Sequence, residues 1–140
     1  MKGVTFGQYH SYGTWGLLLK EAPKVSPPEP KTYEVEIPGR NGTLDLTDAV
    51  FGGVKYKNRE IKFSFISLEK RENWADLASD MLEKLHGKVL DIVLDDDPGF
   101  YYTGRVVFEN TAPDKFVVPF KITAMVEPYK TSVGGGVKKL

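Results

Sequence analysis

Asp95-Asp96-Asp97, with Asp91 close before it, is the densest group of carboxylates in the chain. Hard cations such as Ca²⁺ and Mg²⁺ require several converging oxygens of this kind. The spacing does not fit an EF-hand loop, which places acids two apart and then a glycine. The acids run into Pro98-Gly99, so they read as a solvated turn between two strands. The acid pairs Asp45/Asp48 and Glu34/Glu36 have the residue types of a glycosidase dyad, but that chemistry depends on a fixed separation. Alternation of Glu34 and Glu36 is better read as the wet side of a strand. His10 and His86 are the only histidines. No Gly-x-Ser-x-Gly elbow accompanies them, no zinc-ligand spacing surrounds them, and His86 suits a helix end. Gly39-Arg40-Asn41-Gly42 lacks the Gly-Lys-Ser/Thr ending of a phosphate cradle, and no helix pattern follows Gly134-Gly135-Gly136. Phe100-Tyr101-Tyr102 with Arg105 could stack on a sugar or a base, yet aromatics are ordinary at a strand start. With no cysteine, disulfides, thiol catalysis and thiolate metal sites are excluded. The expectation is a chain with no catalytic, cofactor-binding or metal-binding constellation.

The elements that would position these groups are mostly strands. Thr32 to Ile37 alternates, with Tyr33, Val35 and Ile37 on one face. In Arg59 to Ser67, Ile61, Phe63 and Phe65 alternate with Glu60, Lys62 and Ser64, the period of a half-buried strand; Ile66 and Leu68 mark a slip of parity near its end. Lys88 to Leu94 is a third strand. Tyr101 to Glu109 and Phe116 to Glu127 form a long pair joined by a hairpin loop at Asn110-Thr111-Ala112-Pro113-Asp114. One helix is clear. Trp74, Leu77, Ala78, Met81, Leu82 and Leu85 recur at helical spacing, with Asn73 or a residue near Lys70 at the start and Gly87 just past the end.

Two long loops remain. Ala22 to Lys31 holds four prolines and is kept extended by them. Pro38 to Lys57 is rich in turn residues, yet carries Leu44, Leu46, Val50 and Phe51, apolar surface that must be buried on its own core or on a neighbour. Val133 to Leu140, with its three glycines, reads as a flexible tail or linker stub. No internal repeat is visible.

The whole chain has 140 residues, enough for one domain or one domain plus a tail, and 41% of it is hydrophobic. That excludes a disordered chain. Basic and acidic residues balance at 19 each. Zero net charge gives no global pull toward nucleic acid or anionic lipid, and little repulsion against self-association. Met1 to Phe6 lacks the apolar core of a signal peptide, and no apolar run approaches the ~20 residues of a membrane span. The expectation is synthesis in the cytoplasm, with no membrane partner.

The order of short blocks goes further than spacing. Gly3-Val4-Thr5-Phe6-Gly7, Ser11-Tyr12 and Trp15-Gly16-Leu17-Leu18-Leu19 come first. Ile37 to Leu46 and Val54 to Ile61 follow, then Trp74, Leu85-His86-Gly87-Lys88, Asp95-Asp96-Asp97-Pro98, Tyr101 to Arg105, and Glu127-Pro128-Tyr129-Lys130. This ordered set, over residues 3 to 130, resembles the distal tail proteins of bacteriophages with long non-contractile tails. The resemblance implies a mainly β fold with one α-helix, a β-sandwich related to the phage tail-tube fold. It implies a ring domain over 1–130 with a stub over 131–140. It also implies a structural virion or prophage protein, not an enzyme, that assembles with itself into a hexameric ring joining the tail tube to the baseplate or tip. Its other partners would be tail-tube, tape-measure and tip proteins, at the tail tip of the virion, with no sequence-specific nucleic acid. Members often carry a second, carbohydrate-binding domain. This chain departs there, so sugar or receptor binding is not carried over: it is either the ring domain alone or a short form.

A ring needs heterologous surfaces that close after a fixed rotation. The candidate is the loop from Pro38 to Lys57, as an arm lying on the next subunit, with Arg40, Leu44, Leu46, Val50 and Phe51 as interface residues. Two alternatives compete. One is a carbohydrate-binding β-sandwich module using Trp15, Tyr101 and Tyr102. The other is a small carboxylate hydrolase.

Overall fold

The computed structural model describes residues 3–68, 70–110 and 119–140. The chain runs through β1 (Val4–Phe6), β2 (Tyr9–His10), α1 (Ser11–Trp15), β3 (Leu17–Leu19), β4 (Lys24–Val25), β5 (Glu34–Glu36) and β6 (Thr43–Asp45). It continues through α2 (Thr47–Phe51), β7 (Arg59–Ser67), α3 (Trp74–Leu85), β8 (Val89–Leu94), β9 (Phe100–Asn110), β10 (Pro119–Val126), β11 (Lys130–Ser132) and β12 (Lys138–Lys139). The hairpin loop expected over 111–114, and Phe116 and Val118, lie outside the described residues.

The main sheet is antiparallel, in the order β2-β1-β8-β9-β10-β7-β3. β4 adds to β7, and β11 adds to β9. The alternation seen in the sequence becomes its two faces. Ile61, Phe63 and Phe65 of β7, Ile92 and Leu94 of β8, and Phe120, Ile122, Ala124 and Val126 of β10 all point into one core. The sheet is strongly curled. β1 and β7 are separated in it by three strands, which in a flat sheet would hold them about 19 Å apart. Yet Phe6 of β1 meets Phe63 of β7 edge to face, with ring centroids 5.3 Å apart. The curl makes strands of one sheet face each other across a shared core, a half-barrel in shape.

The long helix predicted from the apolar stripe is α3, which buries Ala78, Met81 and Leu85 in this core. Leu77 and Leu82 pack at its margin. A turn of 3₁₀ helix over Arg71–Asn73 precedes α3, and Asn73 itself has helical dihedrals, so the helical path starts before it. After His86 the chain reverses at Gly87, whose φ of +76° favours glycine. The sequence ended the folded domain at residue 130. In the structure Thr131 and Ser132 pair with Tyr101 and Phe100, and β12 pairs back on β11. Gly134 and Gly136, both at positive φ, provide the reversal between them.

Candidate subunit interface

The residue types that could do chemistry are each taken up by local structure. His10 is the N-cap of α1: its Nδ1 accepts from the amides of Tyr12 and Gly13, at 3.2 and 3.1 Å. Its Nε2 lies 2.9 Å from Asp95 Oδ2, which also accepts from the Gly3 amide. The Ser11 hydroxyl accepts from the Val4 amide. Serine, histidine and aspartate thus come together, but both ring nitrogens are occupied and none is left to serve as a base toward Ser11. Asp97 pairs with Lys130 at 2.5 Å, and Asp91 accepts from the Thr103 hydroxyl. The acids therefore diverge into separate local contacts instead of converging on one point. His86 Nδ1 accepts from the Phe108 amide across the helix end.

Of the three aromatics read as a sugar-stacking surface, Tyr101 is half-buried and the other two are enclosed. Trp15 and Tyr102 are each 5% exposed. Trp15 Nε1 donates to Asp80 Oδ2 at 2.9 Å, tying α1 to α3. Tyr102 lies under the Arg59 guanidinium, 5.7 Å from ring centroid to carbon. Faces covered in this way cannot stack on a sugar.

The long loop is a built arm. Its stem closes where Pro30 and Tyr56 form an antiparallel bridge. The Lys31 amide donates to the Lys55 carbonyl at 2.7 Å, and the Lys57 amide to the Glu29 carbonyl at 2.8 Å. Above the stem, β5 and β6 form a two-stranded hairpin separate from the main sheet, with Val35 opposite Leu44. The turn at its tip uses Gly39 and Gly42 at positive φ, and the Arg40 amide donates to the Ile37 carbonyl. Past β6, the Thr47 hydroxyl and amide both donate to the Asp45 carboxylate, which holds that carboxyl below its ordinary range. The Tyr33 amide donates to the Thr47 hydroxyl, so α2 is pinned to the hairpin.

No residue between 31 and 58 is buried. Among the interface candidates, Arg40 and Val50 are exposed, whereas Leu44, Leu46 and Phe51 are half-buried within the arm. Tyr33, Ile37 and Val54 are exposed apolar residues of the same arm that sequence reasoning did not single out. Tyr33 and Ile37 shared a strand face with Val35, and that face reads as a core face until the hairpin is seen to stand off the sheet.

The base of the arm is held by Arg59, one of two buried polar residues among those described. Its Nε donates to the Ser26 carbonyl at 3.0 Å and its Nη1 to the Pro128 carbonyl at 3.2 Å. Tyr56 packs edge-on against Tyr129, centroids 6.1 Å apart.

No family model matches this sequence, and no curated protein matches it. The fold is similar to the crystal structure of SPP1 Dit (gp 19.1) protein, described as a paradigm of the hub adsorption apparatus in phages that infect Gram-positive bacteria. The TM-score is 0.70 at 15% identity, over 95% of this chain and 52% of that one. The likeness is one of fold, and the chain spans about half the length of that structure.

Proposed function

We propose that this chain is a structural component of a phage or prophage tail, assembling head to tail into a hexameric ring that joins the tail tube to the baseplate or tip. Its arm, residues 31–58, lies on the neighbouring subunit. One observation carries this reading: a hydrogen-bonded arm of that length buries no residue in its own domain, yet exposes Tyr33, Ile37, Val50 and Val54. Apolar side chains exposed on an arm outside the core support a contact with another chain. The likeness to the SPP1 hub protein over nearly the whole chain supports the kind of assembly. On this reading the work is mechanical, the further partners are tail-tube, tape-measure and tip proteins, and the site of action is the virion tail tip. Among the described residues no helix is long and apolar enough to cross a membrane. The test is native mass spectrometry with negative-stain imaging over a concentration series. Six-membered rings are the expected end state; a monomer at every concentration, with and without the tail-tube protein, overturns the reading.

A further inference from the structure

We propose that the arm tip of one copy seats in the groove between α1 and α3 of the next, with Arg40 of the first meeting Asp76 of the second. This rests on the ring reading and names the surface that the arm meets.

The groove holds about 670 Å³ and is lined by Tyr12, Gly16, Leu68, Asp76, Leu77 and Asp80, among others. That volume is in the range of roughly 300–1,000 Å³ that takes a compact ligand, so it accommodates the side chains of one turn and not a whole strand. Its apolar lining is open to solvent: Leu68 is 60% exposed and Tyr12 is 40% exposed. Its walls are firm, because the Trp15–Asp80 hydrogen bond links α1 to α3.

Charge selects the occupant. Among the described residues the groove lining carries two carboxylates and no cation. Asp80 is paired with Lys84 at 3.1 Å, while Asp76 makes no ion pair among the described residues. The arm tip, residues 37–43, has a single charged residue, Arg40, which likewise makes no ion pair among the described residues. Ile37, 39% exposed, supplies the apolar element beside it. A planar guanidinium next to an apolar side chain matches a carboxylate beside Leu77 and Leu68.

Among the described residues, the groove of a copy is lined by none of its own arm. The arm springs from the residues just before β7, and Leu68 follows the last residue of β7. Arm base and groove are therefore separated by the length of that nine-residue strand, roughly 27 Å. An arm rooted at one end of a strand and a recess at its other end suit a heterologous contact.

The chain has no cysteine, so single cysteines can be placed without background. Chains carrying Arg40→Cys and chains carrying Asp76→Cys are mixed at high concentration with a short bis-maleimide. A control pairs Arg40→Cys with Lys121→Cys on the open sheet face. The expected result is a mixed dimer well above the control, and a ladder ending at the ring size when both cysteines are in one chain. Independently, Arg40→Glu or Asp76→Arg alone should weaken self-association about tenfold, and the two reversals together should restore most of it. Circular dichroism on each variant shows that it is folded. If wild-type rings form but cross-linking stays at the control level, or the double reversal fails to rescue, the groove assignment is overturned and the ring reading stands. If wild-type chains do not assemble and the cysteine variants do not cross-link above the control, both fall.

Discussion

Gly104 occupies an inward-facing position of β9 between Tyr102 and Val106, opposite Val126. A Cβ added there would lie 2.2 Å from the Met125 carbonyl oxygen and 2.5 Å from the Val126 Cα. Both are backbone atoms, so the strands themselves would have to part. Gly104→Ala should cost about 1–3 kcal/mol, toward the upper end, measured by urea denaturation. Asp80 gives a pH dependence. Its carboxyl is held below the ordinary range, first by the Trp15 indole donor and then by Lys84. A carboxyl depressed in the folded state favours folding above its unfolded pKa, near 4, and loses that contribution as pH falls through the folded value. The melting temperature should therefore fall as pH drops below about 4, and Asp80→Asn should flatten part of that slope. An unchanged slope would count against the Trp15–Asp80 link. At this scale the sequence named the residue types and was silent about their partners. Nothing in the spacing announces that His10 ties the start of α1 to Asp95, because these two residues lie 85 positions apart.

Single elements differ in how much of them could be read. β7, β10 and α3 were legible because each repeats its period long enough to identify itself, and their apolar sides are the ones that form the core. α1 and α2, five residues each, are too short to show a period. The separate hairpin β5–β6 hid for another reason: alternation reports two unlike faces but not what covers either one. The curl was equally invisible, since it depends on pairing between strands far apart in sequence. Two substitutions test the elements. Met81, fully buried, should cost about 2–5 kcal/mol on replacement by alanine, and Leu82, at the margin of the core, clearly less, as read from thermal melts of both variants. Arg59→Met should leave the carbonyls of Ser26 and Pro128 without their donor, at about 1–3 kcal/mol. Hydrogen exchange should rise around residues 26–31 and at the stem before it rises in β10. Uniform loss of protection would mean that Arg59 supports the whole sheet and not the arm base.

For the whole molecule, the decisive contrast is between a core built by the curled sheet with α3 and an arm that takes no part in it. Val50, 53% exposed, should therefore be replaceable by aspartate with no more than about 0.5 kcal/mol of change in monomer stability, while assembly is weakened. Light scattering at raised concentration reads the second effect and calorimetry the first. If Val50→Asp unfolds the monomer, the arm is part of the domain's own core. The separation also has a genetic side. Selection for folding acts on residues that the core needs, and it does not filter changes between 31 and 58 in the same way. On the proposed assembly, the arm and the surface it meets are encoded in one gene, so any change in one is inherited together with its matching change in the other. Two diverged versions produced in one cell would then sort into separate rings, each kept pure by its own lineage of paired changes.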